Sequence, residues 1–194
     1  HRILIEDVSQ VKAMVCPSQA FGAGLRLGNG MVEELMATPD ALTRLRAKLE
    51  SLDLYVFTVN GFPYGDFGSS IVKESVYEPD WTTEARVAYT TRLADALVRL
   101  PGPQLRTIST VAGGYGPTTE DESARKIIAR NLGLVADHLA RLHDKTGIRV
   151  QLCLEPEPWT TLETTPGTIE FFERWIHPLG ATAQPYLGLC YDCC

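Results

Sequence analysis

No stretch of this 194-residue chain approaches the roughly 20 consecutive apolar residues that a membrane-spanning helix needs, so none is expected. Positive charge is also short. Lys and Arg number 18 against 24 Asp and Glu, a formal net charge of −6. That balance argues against non-specific binding to nucleic acid or to anionic membranes. Cysteine is sparse and odd in number: Cys16, Cys153, Cys190, Cys193 and Cys194. Cys153 and Cys190 sit within apolar runs, so the usage reads as reduced and intracellular rather than as a disulfide framework, and a cytoplasmic location is expected. The segment His1-Arg2-Ile3-Leu4-Ile5-Glu6-Asp7 has neither a signal-peptide pattern nor an initiating Met, so the chain is expected to begin inside a longer protein. Internal repeats, low-complexity tracts and linkers are missing too, which leaves a single domain over residues 1–194.

Extended segments are expected at residues 22–27, 55–60, 105–111, 150–155 and 186–192. Two- to five-residue turns between them, as hairpins would need, do not occur. Helical patterns lie there instead. Residues 31–38 carry the first of these. Thr38-Pro39-Asp40 reads as the start of the next, with Thr38 as N-cap and Pro39 at N1. Leu42, Leu45, Leu49 and Leu52 follow at helical spacing. A helix near residues 82–100 places Leu93, Leu97 and Leu100 on one face. Thr119-Glu120-Asp121-Glu122 reads as a capping box ahead of Ile128, Leu132, Val135, Leu139 and Leu142. Thr165-Pro166 repeats the Thr-Pro start ahead of a stripe of Ile169, Phe172 and Ile176.

Strand–helix alternation of this kind implies βαβ units and a parallel sheet, either doubly wound or barrel-like. Period-two reading favours the barrel. Gln151, Cys153 and Glu155 share one strand face, with Val150, Leu152 and Leu154 on the other. Gly188, Cys190 and Asp192 align, as do Val56, Thr58 and Asn60, and Gly22, Gly24 and Arg26. One face of each strand is small or semi-polar, and the other is mostly apolar. Such asymmetry suits a barrel wall, whose outer face packs on helices and whose inner face ends in functional groups at the C-terminal rim. A doubly wound sheet is more often apolar on both faces. Five strands do not close a (β/α)8 barrel, so a partial TIM barrel is expected, lacking strands at both ends.

The site candidates follow from the strand ends. Leu152-Cys153-Leu154-Glu155 is an apolar strand ending in a carboxylate and stopped by Pro156 and Pro158, and residues 187–192 end in Asp192. Hard oxygen ligands at neighbouring strand ends suit a divalent cation such as Mg²⁺ or Mn²⁺, while one carboxylate could act as a base. Strand-end acids can also cap a helix or pair with Arg26, but Pro156-Glu157-Pro158 leaves no helix start for Glu155 to cap. Glu157 can share the face if the backbone stays extended. Asn60, Tyr64, Lys73, Tyr77, Asp80 and Trp81 crowd the long loop at residues 61–80, which reads either as a binding surface for a polyol or sugar-like ligand or as a self-packed loop. Cys190-Tyr191-Asp192-Cys193 has C-x-x-C spacing, but without a second pair. The glycines of residues 22–28 lie within a strand, so a dinucleotide fingerprint lacks its context. Those of residues 113–116 follow a strand, as an anion cradle or a plain turn would. His138, His143 and His177 fall on helices, away from the rim.

Residues 152–158 and 187–194 resemble the xylose-isomerase-like barrel superfamily of sugar isomerases, epimerases and endonuclease IV. That resemblance implies a metal-binding Glu at Glu155 and the Asp of an Asp-x-x-His at Asp192, with Mn²⁺, Mg²⁺ or Zn²⁺ as the cofactor. Residues 55–65 and 72–81 are similar to the EboE-type metabolite traffic proteins, as are Ile108-Ser109-Thr110-Val111, the Leu-Glu-Pro-Glu-Pro run, Leu162-Glu163-Thr164 and Cys190-Tyr191-Asp192. This closer likeness implies a context, the handling of secondary-metabolite precursors, more than a reaction.

Three functions follow as expectations. The first is a divalent-metal sugar or sugar-phosphate isomerase or epimerase. In it Glu155 is metal ligand and catalytic base, Asp192 is a metal ligand, and Arg26, Asn60, Tyr64, Lys73 and Glu157 contact a sugar-like or polyol substrate. The second is a non-catalytic metabolite-binding barrel. The third is a metal-dependent phosphodiesterase of endonuclease IV type, ranked last because no cluster of histidines falls at the rim.

Overall fold

The computed structural model describes residues 2–65 and 76–193. Its five strands are β1 (Phe21–Arg26), β2 (Leu54–Asn60), β3 (Leu105–Val111), β4 (Arg149–Glu155) and β5 (Leu187–Leu189). They pair in parallel in the order β1-β2-β3-β4-β5. Each strand therefore lies beside its neighbour in the chain, the order of a barrel wall, whereas a doubly wound sheet reverses its order at a switch point. Among the described residues β1 and β5 form the two edges.

The helices in chain order are α1 (Arg2–Val15), α2 (Asn29–Ala37), α3 (Ala41–Ser51), α4 (Glu84–Leu97), α5 (Gly116–Thr119), α6 (Glu122–Thr146) and α7 (Thr165–Phe171). The apolar stripes of α4 and α6 bury Leu93, Leu97, Ile128, Leu132, Val135 and Leu139 in one cluster with Val56, Val59, Ile108, Val150, Leu152 and Leu154. Burial of each such side chain is worth about 1.5–3 kcal/mol, so this cluster drives the layer of helices onto the outer face of the sheet. The other face of β4 presents Gln151, Cys153 and Glu155, and that of β1 presents Gly22, Gly24 and Arg26, as the alternation predicts.

Several local expectations are overturned. Val56 does not share a face with Thr58 and Asn60. The register steps from Ala23↔Val56 to Gly24↔Thr58, so Phe57 is an extra residue and the strand turns over at that bulge. Val56 is fully buried under the helices, while Asn60 is exposed on the inner side. A Cβ on Gly22 would lie 2.9 Å from the Phe57 ring, so a larger residue there would displace that ring.

Helix starts are also displaced. Thr38 ends α2, its N–H donating to the Glu34 carbonyl. α3 begins only at Ala41, after Asp40 in the left-handed region at φ 59°. Thr119 is not the cap of α6, because its buried hydroxyl already bonds to the Tyr115 carbonyl and to Thr161. Asp121 caps instead, accepting from the Ala124 N–H at 2.6 Å. In α7 the cap is Thr164, one residue before Thr165, with its side chain accepting from the Gly167 N–H. A π-helical turn at Phe172–Ile176 then rotates the face, so Ile169 is 52% exposed while Phe171 and Ile176 are buried. β5 is shorter than residues 186–192, and the amphipathic helix α1 was not anticipated at all.

Candidate acidic rim site

The C-terminal strand ends form the candidate site. A cleft of about 210 Å³ is lined by Arg26, Asn60, Phe62, Pro63, Val76, Glu155 and Glu157. Arg26 and Asn60 end β1 and β2 in register with one another, and Glu155 ends β4 beside Val111 of β3. Parallel pairing therefore brings to one rim groups that are more than 120 residues apart in the chain. Asn60 accepts from the Phe62 N–H at 3.0 Å through its Oδ1, a turn that folds the Phe62-Pro63 wall over the strand end.

Asp192 follows β5 by three residues and does not line the cleft, but it acts on the same groups as Glu155. Burial, then Glu155, then Asp192 hold the Glu157 carboxyl above the usual carboxylate range. Burial, then the same two acids, raise the Cys190 thiol. The acid that ends β4 and the acid that follows β5 thus act on two shared neighbours. Glu157→Gln is expected to raise Tm at pH 7. A carboxyl whose folded pKa lies above its unfolded value loses stability as pH rises through the folded pKa. The gain should vanish as the medium is acidified below the ordinary carboxylate range, and thermal melts at pH 7 and pH 3.5 would check this.

Beside the acids, Cys153 is buried on the inner face of β4. Burial, then nearby Cys190, push its thiol up to about 11 from an ordinary value near 9. The folded chain keeps this proton between pH 9 and 11 after the unfolded chain has lost it, so stability falls as pH rises through that window. Cys153→Val should flatten that part of the alkaline loss in denaturation midpoints taken from pH 8 to 11. At pH 8 a thiol reagent should label exposed Cys193 well before Cys153.

Three other expectations fare differently. Tyr64 does not line the cleft: its ring packs edge-on against Tyr89 at 5.2 Å and lies 5.9 Å from the Arg86 guanidinium carbon. Asp80 and Trp81 belong to the self-packed part of the loop. Asp80 Oδ1 accepts from the Thr82 N–H at 2.8 Å, and Trp81 is fully buried with its backbone N–H donating to the Gly113 carbonyl. Lys73 lies outside the described residues. The Gly113–Gly116 turn is no anion cradle, because the Gly114 amide donates to Thr161 Oγ1 and the Gly116 amide to the Trp159 carbonyl. His138 bonds Asp95 at 2.8 Å and His143 bonds the Tyr186 hydroxyl at 3.0 Å, on the outer helices and away from the rim.

Sequence reasoning missed Pro63, Val76 and the aromatic contact of Tyr77 with Tyr115, whose rings stack at 6.0 Å. It also missed Arg86, which is buried beneath the rim. Arg86 donates through Nε to the Pro79 carbonyl at 2.7 Å, and through Nη1 to the carbonyls of Gly61 and Phe62, both at 2.9 Å. Burial lowers its pKa to about 10, so it stays charged at neutral pH.

Fold and rim together define a parallel barrel wall with an acidic C-terminal mouth. The family model for the xylose isomerase-like TIM barrel matches residues 23–194, and the chain belongs to that family. Among solved structures it is similar to the probable 3-DHS dehydratase AsbF involved in petrobactin synthesis from Bacillus anthracis, at 18% identity and TM-score 0.52, covering 95% of this chain and 56% of that one. It is also similar to an AP endonuclease, family 2, from Brucella melitensis, at 16% identity and TM-score 0.50, covering 91% and 69%. The chain thus spans about half to two thirds of the length of these structures, which share its fold. No curated protein matches the sequence. Among the described residues no helix is long and apolar enough to cross a membrane.

Carboxylates are the right donors for a hard divalent cation. Among the described residues, however, no three His, Cys, Asp or Glu groups gather closely enough to form a complete ligand set. The described rim therefore offers carboxylate donors but no three-group ligand set.

Proposed function

We propose that the chain forms the acid-bearing wall of a divalent-metal-dependent isomerase or epimerase acting on a sugar-like or polyol metabolite, in the precursor-handling context that the EboE-type resemblance implies. The observation that carries this reading is the convergence of Arg26, Asn60, Glu155 and Glu157 on one cleft at the strand ends, with Asp192 three residues beyond the neighbouring strand β5. Glu155 and Asp192 would hold a Mn²⁺, Mg²⁺ or Zn²⁺ ion, which when bound supplies Lewis-acid polarisation of a substrate carbonyl. Glu155 faces the cleft and can accept the proton from the carbon beside that carbonyl. The Arg26 guanidinium would stabilise negative charge on the oxygen, and Asn60 would orient substrate hydroxyls. The four described cysteines are free thiols, in keeping with a reducing, cytoplasmic setting.

Metal content tests the reading. After incubation with Mn²⁺ and gel filtration, the wild-type chain should retain metal by mass spectrometry, and Asp192→Ala should retain at least tenfold less. Equal retention by both would remove Asp192 from the site. The incomplete ligand set favours a second reading, a metabolite-binding barrel without catalysis. In that case ligand binding would survive Glu155→Gln and would need no metal.

A further inference from the structure

We infer that the rim carries an aromatic subsite, built from Phe62, Tyr77, Tyr115 and Trp159, which takes a flat ring attached to the polyol substrate. The inference deepens the proposed function and rests on it for the polyol head that enters the cleft.

The four residues come from the loops after three successive strands; the rings of Phe62, Tyr77 and Tyr115 form a continuous path from the cleft, and Trp159 adjoins its far end through the backbone. Phe62 lines the cleft and meets Tyr77 edge-on at 5.9 Å and 61°. Tyr77 stacks on Tyr115 at 6.0 Å and 15°. The Tyr77 hydroxyl donates to the Pro158 carbonyl at 3.3 Å, the Gly116 amide donates to the Trp159 carbonyl at 2.7 Å, and Tyr115 bridges Thr160. Trp159 is thus tied by its backbone to the turn that carries Tyr115.

Trp159 is the outlier. Its φ is 68°, in the left-handed region that bulky side chains avoid, and its side chain is 64% exposed. Among the described residues, the other two non-glycine residues with positive φ are Asp40 and Asp53, a residue type that tolerates this conformation. Thr160 fixes the geometry from the other side. It is buried, its hydroxyl donates to the Glu157 carbonyl at 2.7 Å, and its Oγ1 accepts from the Glu157 N–H at 3.1 Å. The fold therefore holds a large ring out in solvent, in an unfavourable backbone conformation, without burying it. Such strain is a pointer to function. A ligand ring laid on a pre-set indole buries apolar area at little cost in ordering.

Size points the same way. The cleft, at about 210 Å³, is smaller than the roughly 300–1,000 Å³ typical of sites for drug-sized ligands. Its volume suits a single polyol or sugar unit, and a ring attached to that unit would lie outside, over the aromatic path. The substrate class is a polyol or sugar-like head bearing an aryl or similarly flat ring.

Calorimetric titration of the 194-residue chain with p-nitrophenyl β-D-xylopyranoside and with methyl β-D-xylopyranoside tests this. The aryl compound should bind at least tenfold more tightly. Trp159→Gly should reduce that preference below twofold, with Tm at or above wild type, and Trp159→Phe should keep most of it. Equal affinities, no binding of either compound, a preference unchanged in Trp159→Gly, or a lowered Tm in that variant would each overturn the subsite. Repeating the titration in Glu155→Gln without added metal separates the two readings. A tenfold preference that persists there keeps the subsite, even if the metal-retention experiment fails.

Discussion

Arg86→Met is expected to destabilise the chain by about 3–5 kcal/mol, because three buried carbonyls lose their donor. One guanidinium serves three carbonyls, those of Gly61, Phe62 and Pro79, and it lies 5.7 Å from the Tyr89 ring and 5.9 Å from that of Tyr64. Methionine fills similar volume but donates nothing, so three buried acceptors lose their partner, at about 1–3 kcal/mol for each one left unsatisfied. The return of the cation to water offsets part of that sum. For a domain of this size the net loss lowers Tm by about 6–20 °C. Lysine should rescue little, because a single ammonium lacks the planar fork that reaches carbonyls on two separate segments. The same carbonyls fix the end of β2 and the Phe62 wall, so ligand affinity should fall at temperatures where the far-UV circular dichroism is still native. Thermal melts and titrations on Arg86→Met and Arg86→Lys would check both effects. A Tm within about 2 °C of wild type would show that the network carries no net stability.

Glu155→Gln is expected to lower kcat/KM by about 10²–10⁴-fold on any sugar or polyol-derived carbonyl compound the wild type turns over, the range for losing a positioned general base. Glutamine keeps the shape and the hydrogen-bonding carbonyl but cannot take a proton. The fold should tolerate the change, since Glu155 is one of two acids that raise the Glu157 carboxyl and its neutralisation relieves that repulsion. Exchange of substrate C–H for solvent deuterium, followed by NMR, isolates the proton-transfer step. Exchange lost in Glu155→Gln, with Tm unchanged or raised, is the expected result. Exchange at the wild-type rate would transfer the base to another group. Wild type that binds but never exchanges, with affinity intact in Glu155→Gln, would establish the non-catalytic barrel.

Much of the architecture was legible because its signals are local. Period-two alternation in residues 150–155 separated the Glu155 face from the helix-covered face, and the four- and three-residue steps from Ile128 to Leu139 matched the buried stripe of α6. Caps were less legible. Thr38, Thr119 and Thr165 all have cap chemistry, yet neighbouring residues carry out or displace that role. Competition among adjacent capping groups is settled by where the preceding segment delivers the backbone, and that depends on packing.

The sequence by itself determined that the strands are parallel, which faces of β1 and β4 are polar, and that Glu155 ends a strand. Those properties depend on side-chain alternation and on turn chemistry within a few residues. Only the tertiary structure decided that Phe57 is an extra residue reversing Val56, that Tyr64 packs on Arg86 away from the cleft, and that Phe62, Tyr77, Tyr115 and Trp159 adjoin one another. Bulges and loop neighbours carry no periodic signature. They arise when strands distant in the chain are set side by side and their connecting loops must satisfy one another's backbone hydrogen bonds.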